Sequence, residues 1–217
     1  MTETLRDAGQ VPLPWASRSW GWEGLPRATA EHHRTSRASA VVVLTRPVGD
    51  DLAYLIVRRS TRLRYHAGEF AFPGGGIDPG ETPVAAALRE CGEETGVLLA
   101  QAQVLGTLPA LYLGASGNVV TPVLARLGAG DHLPRIAHDD ETRSAHWVTR
   151  SHLLDPNNRT TVTYRGRWAG PAFRFEDTYI WGFTARVLGW VLDEENLLAQ
   201  DLARIPDVSD RATRRTR

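Results

Sequence analysis

Residues 72–97, FPGGGIDPGETPVAAALRECGEETGV, combine a loop signal with a helix signal and so limit the architectures open to this chain. Three consecutive glycines predict a loop, and the residues that follow it predict a helix. Thr82 is a suitable N-cap, Pro83 suits the first helical position, and Gly96 suits the far end. The sequence therefore predicts a glycine loop that leads directly into a helix from Pro83 to Thr95.

The predicted helix has two chemically different faces. Apolar residues at helical spacing predict the face that packs on a core; they are Val84, Ala87, Leu88 and Cys91. Glu90, Glu93 and Glu94 lie on another face, close enough for their like charges to repel. A solvated face is the usual reading of such a charge run. However, three acids without a lysine partner beside a glycine loop also supply the oxygen ligands that a divalent cation such as Mg²⁺ needs, and the loop backbone can add another.

The same segment resembles the Nudix box, whose pattern is G-x5-E-x7-R-E-U-x-E-E-x-G-U with U an apolar residue. Every specified position of the pattern is matched, by Gly75, Glu81, Arg89, Glu90, Cys91, Glu93, Glu94, Gly96 and Val97. Cys91 is an unusual apolar choice, and Gly92 inside the helix costs about 1 kcal/mol relative to alanine. Neither residue alters the acids of the pattern.

This resemblance covers most of residues 39–194 and implies the Nudix α/β/α sandwich, with a mixed β-sheet between the box helix and the C-terminal helix. It implies hydrolysis of a phosphoanhydride with Mg²⁺ or Mn²⁺ as cofactor. By family position, the metal ligands are Gly75, Glu90, Glu93 and Glu94, and Arg89 orients the carboxylates through a salt bridge. The general base is Glu90 or a glutamate of a later loop, for which Glu141 is the candidate. The catalytic set expected from the resemblance is Arg89, Glu90, Glu94 and Glu141.

A cationic segment lies just upstream of the glycines. Residues 58–69 read RRSTRLRYHAGE, and arginines for phosphate beside acids for metal form a coherent pair. The run from Leu55 to Gly76 resembles the signature of the coenzyme A pyrophosphatase branch, L-x-x-R-S-x-x-L-x-x-H-x-G-x-x-x-F-P-G-G. It matches at Arg59, Ser60, Leu63, His66, Gly68, Phe72, Pro73, Gly74 and Gly75. The predicted substrate-binding residues are Arg59, Arg62, Arg64, His66 and Phe72.

The leading expectation is therefore cleavage of the diphosphate bridge of coenzyme A or an acyl derivative, giving 3′,5′-ADP and 4′-phosphopantetheine or its acyl form. One alternative is a Nudix hydrolase for another nucleoside diphosphate derivative, such as ADP-ribose, a dinucleotide or an oxidised nucleotide. Another is a non-catalytic module that binds a nucleotide, although the intact acids argue against it. Members of the coenzyme A branch often carry one further residue and an aspartate before the helix, whereas this chain has the general spacing with Glu81.

Composition limits the partners and the compartment. The 25 basic and 25 acidic residues of this 217-residue chain cancel, which gives no reason to expect non-specific binding to nucleic acid or an anionic membrane. The single cysteine excludes an internal disulfide framework. Because the N-terminus has no signal-peptide pattern and no apolar run is long enough to span a bilayer, the cytoplasm is the expected compartment.

The length and composition predict one domain with additions at both ends. Residues 1–37 are expected to form an irregular arm that lays its tryptophans on the domain; a contact in a homodimer is the alternative role. Residues 38–206 would form the Nudix domain, and residues 207–217 a disordered basic tail. His32 and His33 of the arm are assigned to the surface.

Apolar patterning predicts five strands and one further helix. The strands are Ser39 to Thr45, Ala53 to Arg58, Val104 to Leu108, Val119 to Ala125 and Ala145 to Thr149, and the first two should form a hairpin. Pro122 indicates an edge strand or a bulge. Apolar residues at helical spacing from Ile180 to Val191 predict a last helix that packs on the core.

Overall fold

The computed structural model describes residues 6–7, 26–62, 66–100, 103–114, 116–128, 142–164 and 167–202. The predicted basic tail and the arm's Trp15, Trp20 and Trp22 lie outside these ranges. The helices are α1 (Ala30–Thr35), α2 (Pro83–Thr95), α3 (Arg150–Leu154) and α4 (Gly182–Leu202), with a short 3₁₀ helix at Pro156–Asn158. The strands are β1 (Arg6–Asp7), β2 (Arg37–Val48), β3 (Asp51–Arg59), β4 (Phe70–Ala71), β5 (Gly74–Gly76), β6 (Val104–Thr107), β7 (Leu111–Leu113), β8 (Asn118–Arg126), β9 (Thr142–Thr149), β10 (Arg159–Tyr164), β11 (Arg167–Phe175) and β12 (Thr178–Trp181).

The larger sheet is mixed, as predicted. Its main path runs β4, β3, β2, β8, β6, and three further strands join it: β5 on β2, β7 on β8 and β9 on β3. The β2 and β8 strands are parallel, while the other pairs in this sheet are antiparallel. The predicted hairpin of β2 and β3 is present, and it turns at Gly49 and Asp50.

The glycine segment is part of this sheet. Residues 45–48 of β2 pair with residues 51–54 of β3, but farther along each strand takes a different partner. There β3 pairs with β4, with Val57 opposite Ala71, and β2 pairs with β5, with Val41 opposite Gly74. Residues 70–76 therefore cross from one strand of the hairpin to the other, which sets the glycines beside the end of β3.

The two faces of the sheet are covered by different helices, which confirms the predicted sandwich. The box helix α2 contributes Ala86, Ala87 and Cys91 to one apolar cluster, together with Val42 and Leu44 of β2. The opposite cluster includes residues of α4, β2 and β3, among them Val43, Tyr54, Ile56, Leu188 and Leu192. Because consecutive strand residues point to opposite faces, neighbours along β2 serve different clusters.

The box helix has the predicted bounds because both of its ends are determined locally. The Thr82 side chain accepts a hydrogen bond from the Ala85 amide at 3.1 Å, and Gly96 closes the helix in the left-handed conformation with φ of 68°. The packing face is centred on Ala86, Ala87 and Cys91, while the predicted member Leu88 is partly exposed. Burial raises the pKa of the Cys91 thiol to about 11, so this residue serves packing rather than reaction.

A second, four-stranded sheet was not predicted. Its order is β1, β10, β11, β12, and all its pairs are antiparallel. Ile180, predicted to lie in the last helix, belongs to β12, although its side chain is buried in the same cluster as α4. The arm also differs from the irregular structure expected of it, because it contributes the helix α1 and the two residues of β1.

Pro122 was predicted to mark an edge strand or a bulge. The edge is wrong, because β8 lies between β2 and the pair of short strands β6 and β7, and the β6–β8 pair has a register shift between Val104 and Gly106. The β6 strand pairs with residues 123–125 and β7 with residues 118–120, so Pro122 occupies the gap between them. Its carbonyl accepts a hydrogen bond from the Leu108 amide at 2.9 Å on that same side. A residue without an N–H group is tolerated there because the ladder changes partner at that point. Among the described helices, none is long and apolar enough to cross a bilayer.

Candidate active site

The acidic face of α2 lies directly against the glycines of β5. A β-carbon at Gly75 would lie 2.5 Å from the carboxyl carbon of Glu90, and one at Gly74 would lie 2.3 Å from the Ala40 carbonyl oxygen. A side chain at Gly74 would therefore clash with backbone, and one at Gly75 would displace the Glu90 carboxylate. The Gly74 amide also donates a hydrogen bond to Glu94 Oε2 at 3.0 Å, and Glu94 is only 6% exposed. The fold thus brings two of the predicted metal ligands, Glu90 and Glu94, onto the glycine strand.

Arg89 holds the acidic side chains together. Its five N–H donors make five hydrogen bonds of 2.9 to 3.1 Å: two to Glu81 and one each to Glu90, Glu93 and the Gly76 carbonyl. These bonds, first those to Glu81 and then that to Glu90, raise the pKa of Arg89. Because one guanidinium lies between the carboxylates, it offsets the like-charge repulsion expected along this helix.

Glu81 belongs to the site, although the sequence predicted no role for it. It binds Arg89 through both carboxylate oxygens at 3.0 Å and accepts a third hydrogen bond from the Asp78 amide at 3.1 Å. The bonds from Arg89 are the main reason that the pKa of Glu81 is lowered. The box pattern specifies a glutamate at this position, and that was the signal for a role of Glu81. The contact with Arg89 was not predicted because the two residues are eight apart, which is too far for contact along one continuous helix.

Glu93, the third predicted ligand, is more exposed than Glu90 and Glu94. Its side chain is 58% exposed and pairs with Arg89 at 3.1 Å. Within the described part of the chain, no three His, Cys, Asp or Glu side chains are arranged to hold a metal ion by themselves. Mg²⁺ commonly uses one or two carboxylates and completes its shell with water and substrate phosphate. These groups fit a hard cation, because carboxylates and the carbonyls of the glycine strand both offer oxygen ligands.

The arginine loop, defined as residues 59–62 and 66–69, joins β3 to β4, which leads on to the glycine strand β5. The Arg59 amide donates a hydrogen bond to the Glu69 carbonyl at 2.9 Å and so closes the base of the loop. Arg59 is half-buried, whereas Arg62 and His66 are exposed. His66 Nδ1 lies 3.0 Å from Glu69 Oε2, and this hydrogen bond raises the pKa of His66.

Of the predicted site residues, one is buried in the core and two lie outside the described ranges. Phe72 is 3% exposed and belongs to the cluster that packs on α4, so its ring serves the core instead of the predicted substrate contact. Arg64 and Glu141 lie outside the described residues. The described part of β9 begins at Thr142, which is opposite Arg59 in the sheet.

Chemically, the site combines a cluster of acids that can hold a cation with guanidinium groups that can bind phosphate. That combination suits a substrate with a diphosphate, because the cation and the arginines can each neutralise part of its charge.

Comparisons with known proteins agree with this geometry. The family model of the NUDIX domain matches residues 35–166. The uncharacterised Nudix hydrolase NudL of Yersinia pestis is 33% identical over 165 residues, which cover 71% of this chain and 77% of that protein.

Two solved structures share the fold. The MutT/nudix family protein of Enterococcus faecalis superposes with a TM-score of 0.55 at 16% identity, covering 83% of this chain and 73% of that one. The Nudix domain of NrtR from Shewanella oneidensis, crystallised with ADP-ribose, gives a TM-score of 0.50 at 17% identity, covering 78% and 94%. At these identities the likeness concerns the fold. Together with the family model and the NudL relatives, the site's residues show that the chain belongs to the Nudix hydrolases, enzymes that act on phosphoanhydride bonds.

Proposed function

We propose that this Nudix hydrolase cleaves the diphosphate bridge of coenzyme A or acyl-coenzyme A. The observation that carries the proposal is the placement of the arginine loop, which leaves the end of β3 and returns through β4 to the glycine strand on the acidic helix. Coenzyme A has a 3′-phosphate besides its diphosphate, so its recognition needs cationic groups beyond those at the reacting phosphates. The resemblance of residues 55–76 to the coenzyme A branch supports the same choice.

Nudix hydrolases generally need a divalent cation, and here Mg²⁺ or Mn²⁺ would be held by Glu90 and Glu94. The Gly75 backbone carbonyl and Glu93 are the further proposed ligands; Glu93 would first leave Arg89. When bound, such a cation neutralises charge on the diphosphate and makes its phosphorus more susceptible to attack.

The chain's own residues supply orientation and proton transfer in this proposal. Arg89 holds the Glu90 carboxylate at the glycine strand, while Arg59, Arg62 and His66 bind phosphate oxygens. A carboxylate, that of Glu90 or Glu141, accepts a proton from the attacking water. The water oxygen forms a bond to one phosphorus and the bridging P–O bond breaks, which gives 3′,5′-ADP and 4′-phosphopantetheine or its acyl form.

A substrate panel with Mg²⁺ and with Mn²⁺, with products resolved by mass, tests the proposal. In heavy-oxygen water we expect coenzyme A to give 3′,5′-ADP and 4′-phosphopantetheine, with the label on one of them. Free orthophosphate as the main product would contradict cleavage of the bridge. Efficient turnover of ADP-ribose without turnover of coenzyme A would assign a different substrate, and nucleotide binding without any hydrolysis would assign the chain to the non-catalytic modules.

A further inference from the structure

The turn between β11 and β12 reaches across to the base of the arginine loop. Phe175 and Thr178 pair across this turn, and Glu176 adopts a positive φ of 50° at its tip. The next residue, Asp177, binds Arg58 with both carboxylate oxygens, at 2.9 Å to Nη1 and 3.2 Å to Nη2. The smaller sheet is thereby connected to the last residues of β3.

Arg58 also contacts the arginine loop. Its Nε donates a hydrogen bond to the Gly68 carbonyl at 3.3 Å, and its guanidinium carbon lies 5.3 Å from the centre of the Phe70 ring. The Arg58 side chain is 16% exposed, while that of Asp177 is 70% exposed. A bidentate carboxylate fixes the plane of a guanidinium, so Asp177 determines where Arg58 Nε points.

A second contact holds the same turn. Glu176 Oε1 lies 3.1 Å from His146 Nδ1, and Glu176 Oε2 lies 3.7 Å from Arg58 Nη1. On its other side, His146 Nε2 lies 2.7 Å from Ser144 Oγ. Burial lowers the pKa of His146, which favours the neutral ring; its Nδ1–H then donates to Glu176 while Nε2 accepts from Ser144. Two adjacent residues, Glu176 and Asp177, therefore hold the turn in place.

We propose that Asp177, acting through Arg58, is a positioning residue that holds the arginine loop in the conformation that binds the substrate's phosphate. The inference rests on the proposed function only in taking that loop as the phosphate-binding element. The base of the loop is then held twice, by the Arg59 amide on Glu69 and by Arg58 on Gly68. Loss of the Asp177 carboxylate releases the second of these contacts and leaves the acidic centre on α2 unchanged.

The experiment compares Asp177→Ala with the conservative Asp177→Glu and with the control Asp50→Asn. Asp50 is exposed in the turn of the β2–β3 hairpin, at the end of β3 opposite to Arg58. Two quantities are measured for each purified full-length variant: kcat and KM for coenzyme A with Mg²⁺, and amide hydrogen exchange of residues 59–62 and 66–69. A thermal melt checks that each variant is folded.

In Asp177→Ala we expect KM to rise about threefold to tenfold, as suits a pair that is partly exposed, while kcat stays within about twofold. Exchange in the arginine loop should become faster in Asp177→Ala, return toward wild type in Asp177→Glu, and stay unchanged in Asp50→Asn. An unchanged KM together with unchanged loop exchange would overturn the proposal, and so would a loss confined to kcat. If the wild type does not hydrolyse coenzyme A, the proposed substrate is wrong, and the exchange comparison still decides whether Asp177 positions the loop.

Discussion

Gly74 donates its amide hydrogen to Glu94 Oε2 at 3.0 Å, and this bond joins the glycine strand to a carboxylate twenty residues later in the chain. The strand is itself paired with β2, so the bond transmits the geometry of the sheet to the acidic helix. The Glu94 carboxylate is therefore oriented by a backbone amide, whose position is set by the sheet and not by a side-chain rotamer.

The first prediction concerns that carboxylate. Glu94→Gln keeps an oxygen that can accept from Gly74 but removes the charge proposed to bind the cation, so kcat should fall by about 10² or more. The measurement is hydrolysis of coenzyme A at saturating Mg²⁺. The control Glu31→Gln changes an exposed glutamate of α1 and should leave kcat unaltered. Near-normal turnover in a Glu94→Gln protein with a wild-type melting curve would remove Glu94 from the proposed ligands.

The second prediction separates two adjacent glycines. In Gly75→Ala the new methyl group would meet the Glu90 carboxylate at 2.5 Å, whereas a β-carbon at Gly76 would have nothing within 4 Å. Gly75→Ala should therefore displace Glu90 and lower kcat by about 10², while Gly76→Ala should keep most of the activity. Equal activities in steady-state assays of the two variants would show that the position of Glu90 does not matter for the reaction.

The third prediction concerns acid stability. The pKa of Glu81 is lowered in the folded protein, chiefly by its bonds from Arg89. The stabilisation from this pair is therefore fully present above the ordinary carboxyl value of 4.5 and is lost as the pH falls through the lower folded-state pKa. Urea unfolding at several pH values should show that wild type exceeds Glu81→Gln in stability at neutral pH and loses that advantage in acid. A difference independent of pH would exclude this linkage.

The fourth prediction concerns the helix alone. Gly92 has no active role in the site, and a β-carbon there would lie 3.5 Å from Leu98 Cδ2, an ordinary contact. Gly92→Ala should stabilise the fold by about 1 kcal/mol without changing kcat. The matched change Gly96→Ala should destabilise it, because Gly96 has φ of 68°. Calorimetry of both variants checks the pair, and a lower melting temperature for Gly92→Ala would contradict the argument.

The fifth prediction concerns the 3′-phosphate. If Arg59 or Arg62 binds this group, replacing it with alanine should lower kcat/KM for coenzyme A by roughly one to two powers of ten, as expected for loss of a hydrogen bond to a charged group. Dephospho-coenzyme A lacks the phosphate, so its kcat/KM should fall much less. The ratio of kcat/KM for coenzyme A to that for dephospho-coenzyme A should therefore decrease. The exposed Arg34 of α1 provides the control, as Arg34→Ala. A preference that is unchanged in both loop variants would show that the 3′-phosphate is bound elsewhere.

The sequence predicted what depends on neighbours in the chain. The bounds of α2 were correct because Thr82 and Gly96 act within one turn of the helix. The smaller sheet was missed because its apolar residues are covered by distant parts of the chain: Phe173 and Ile180 lie in one cluster with Phe70 of β4 and Leu188 of α4. The bond between Arg58 and Asp177 spans 119 residues, and nothing in the local pattern of either residue indicates the other. For Phe72 the error came from the local pattern itself: its place in the motif predicted a substrate contact, but the side chain packs in the core.

Residues 70–76 cross from β3 to β2, and this crossing separates the arginine loop from the acidic centre on α2. The acidic centre takes its position from the registers of β4 and β5, whereas the arginine loop begins and ends at the bond between Arg59 and Glu69. We therefore expect that sequences of different length can be grafted between those two residues without moving Gly75 relative to Glu90. If the arginine loop selects the substrate, as proposed, a change of substrate needs a new loop while the acidic centre stays intact.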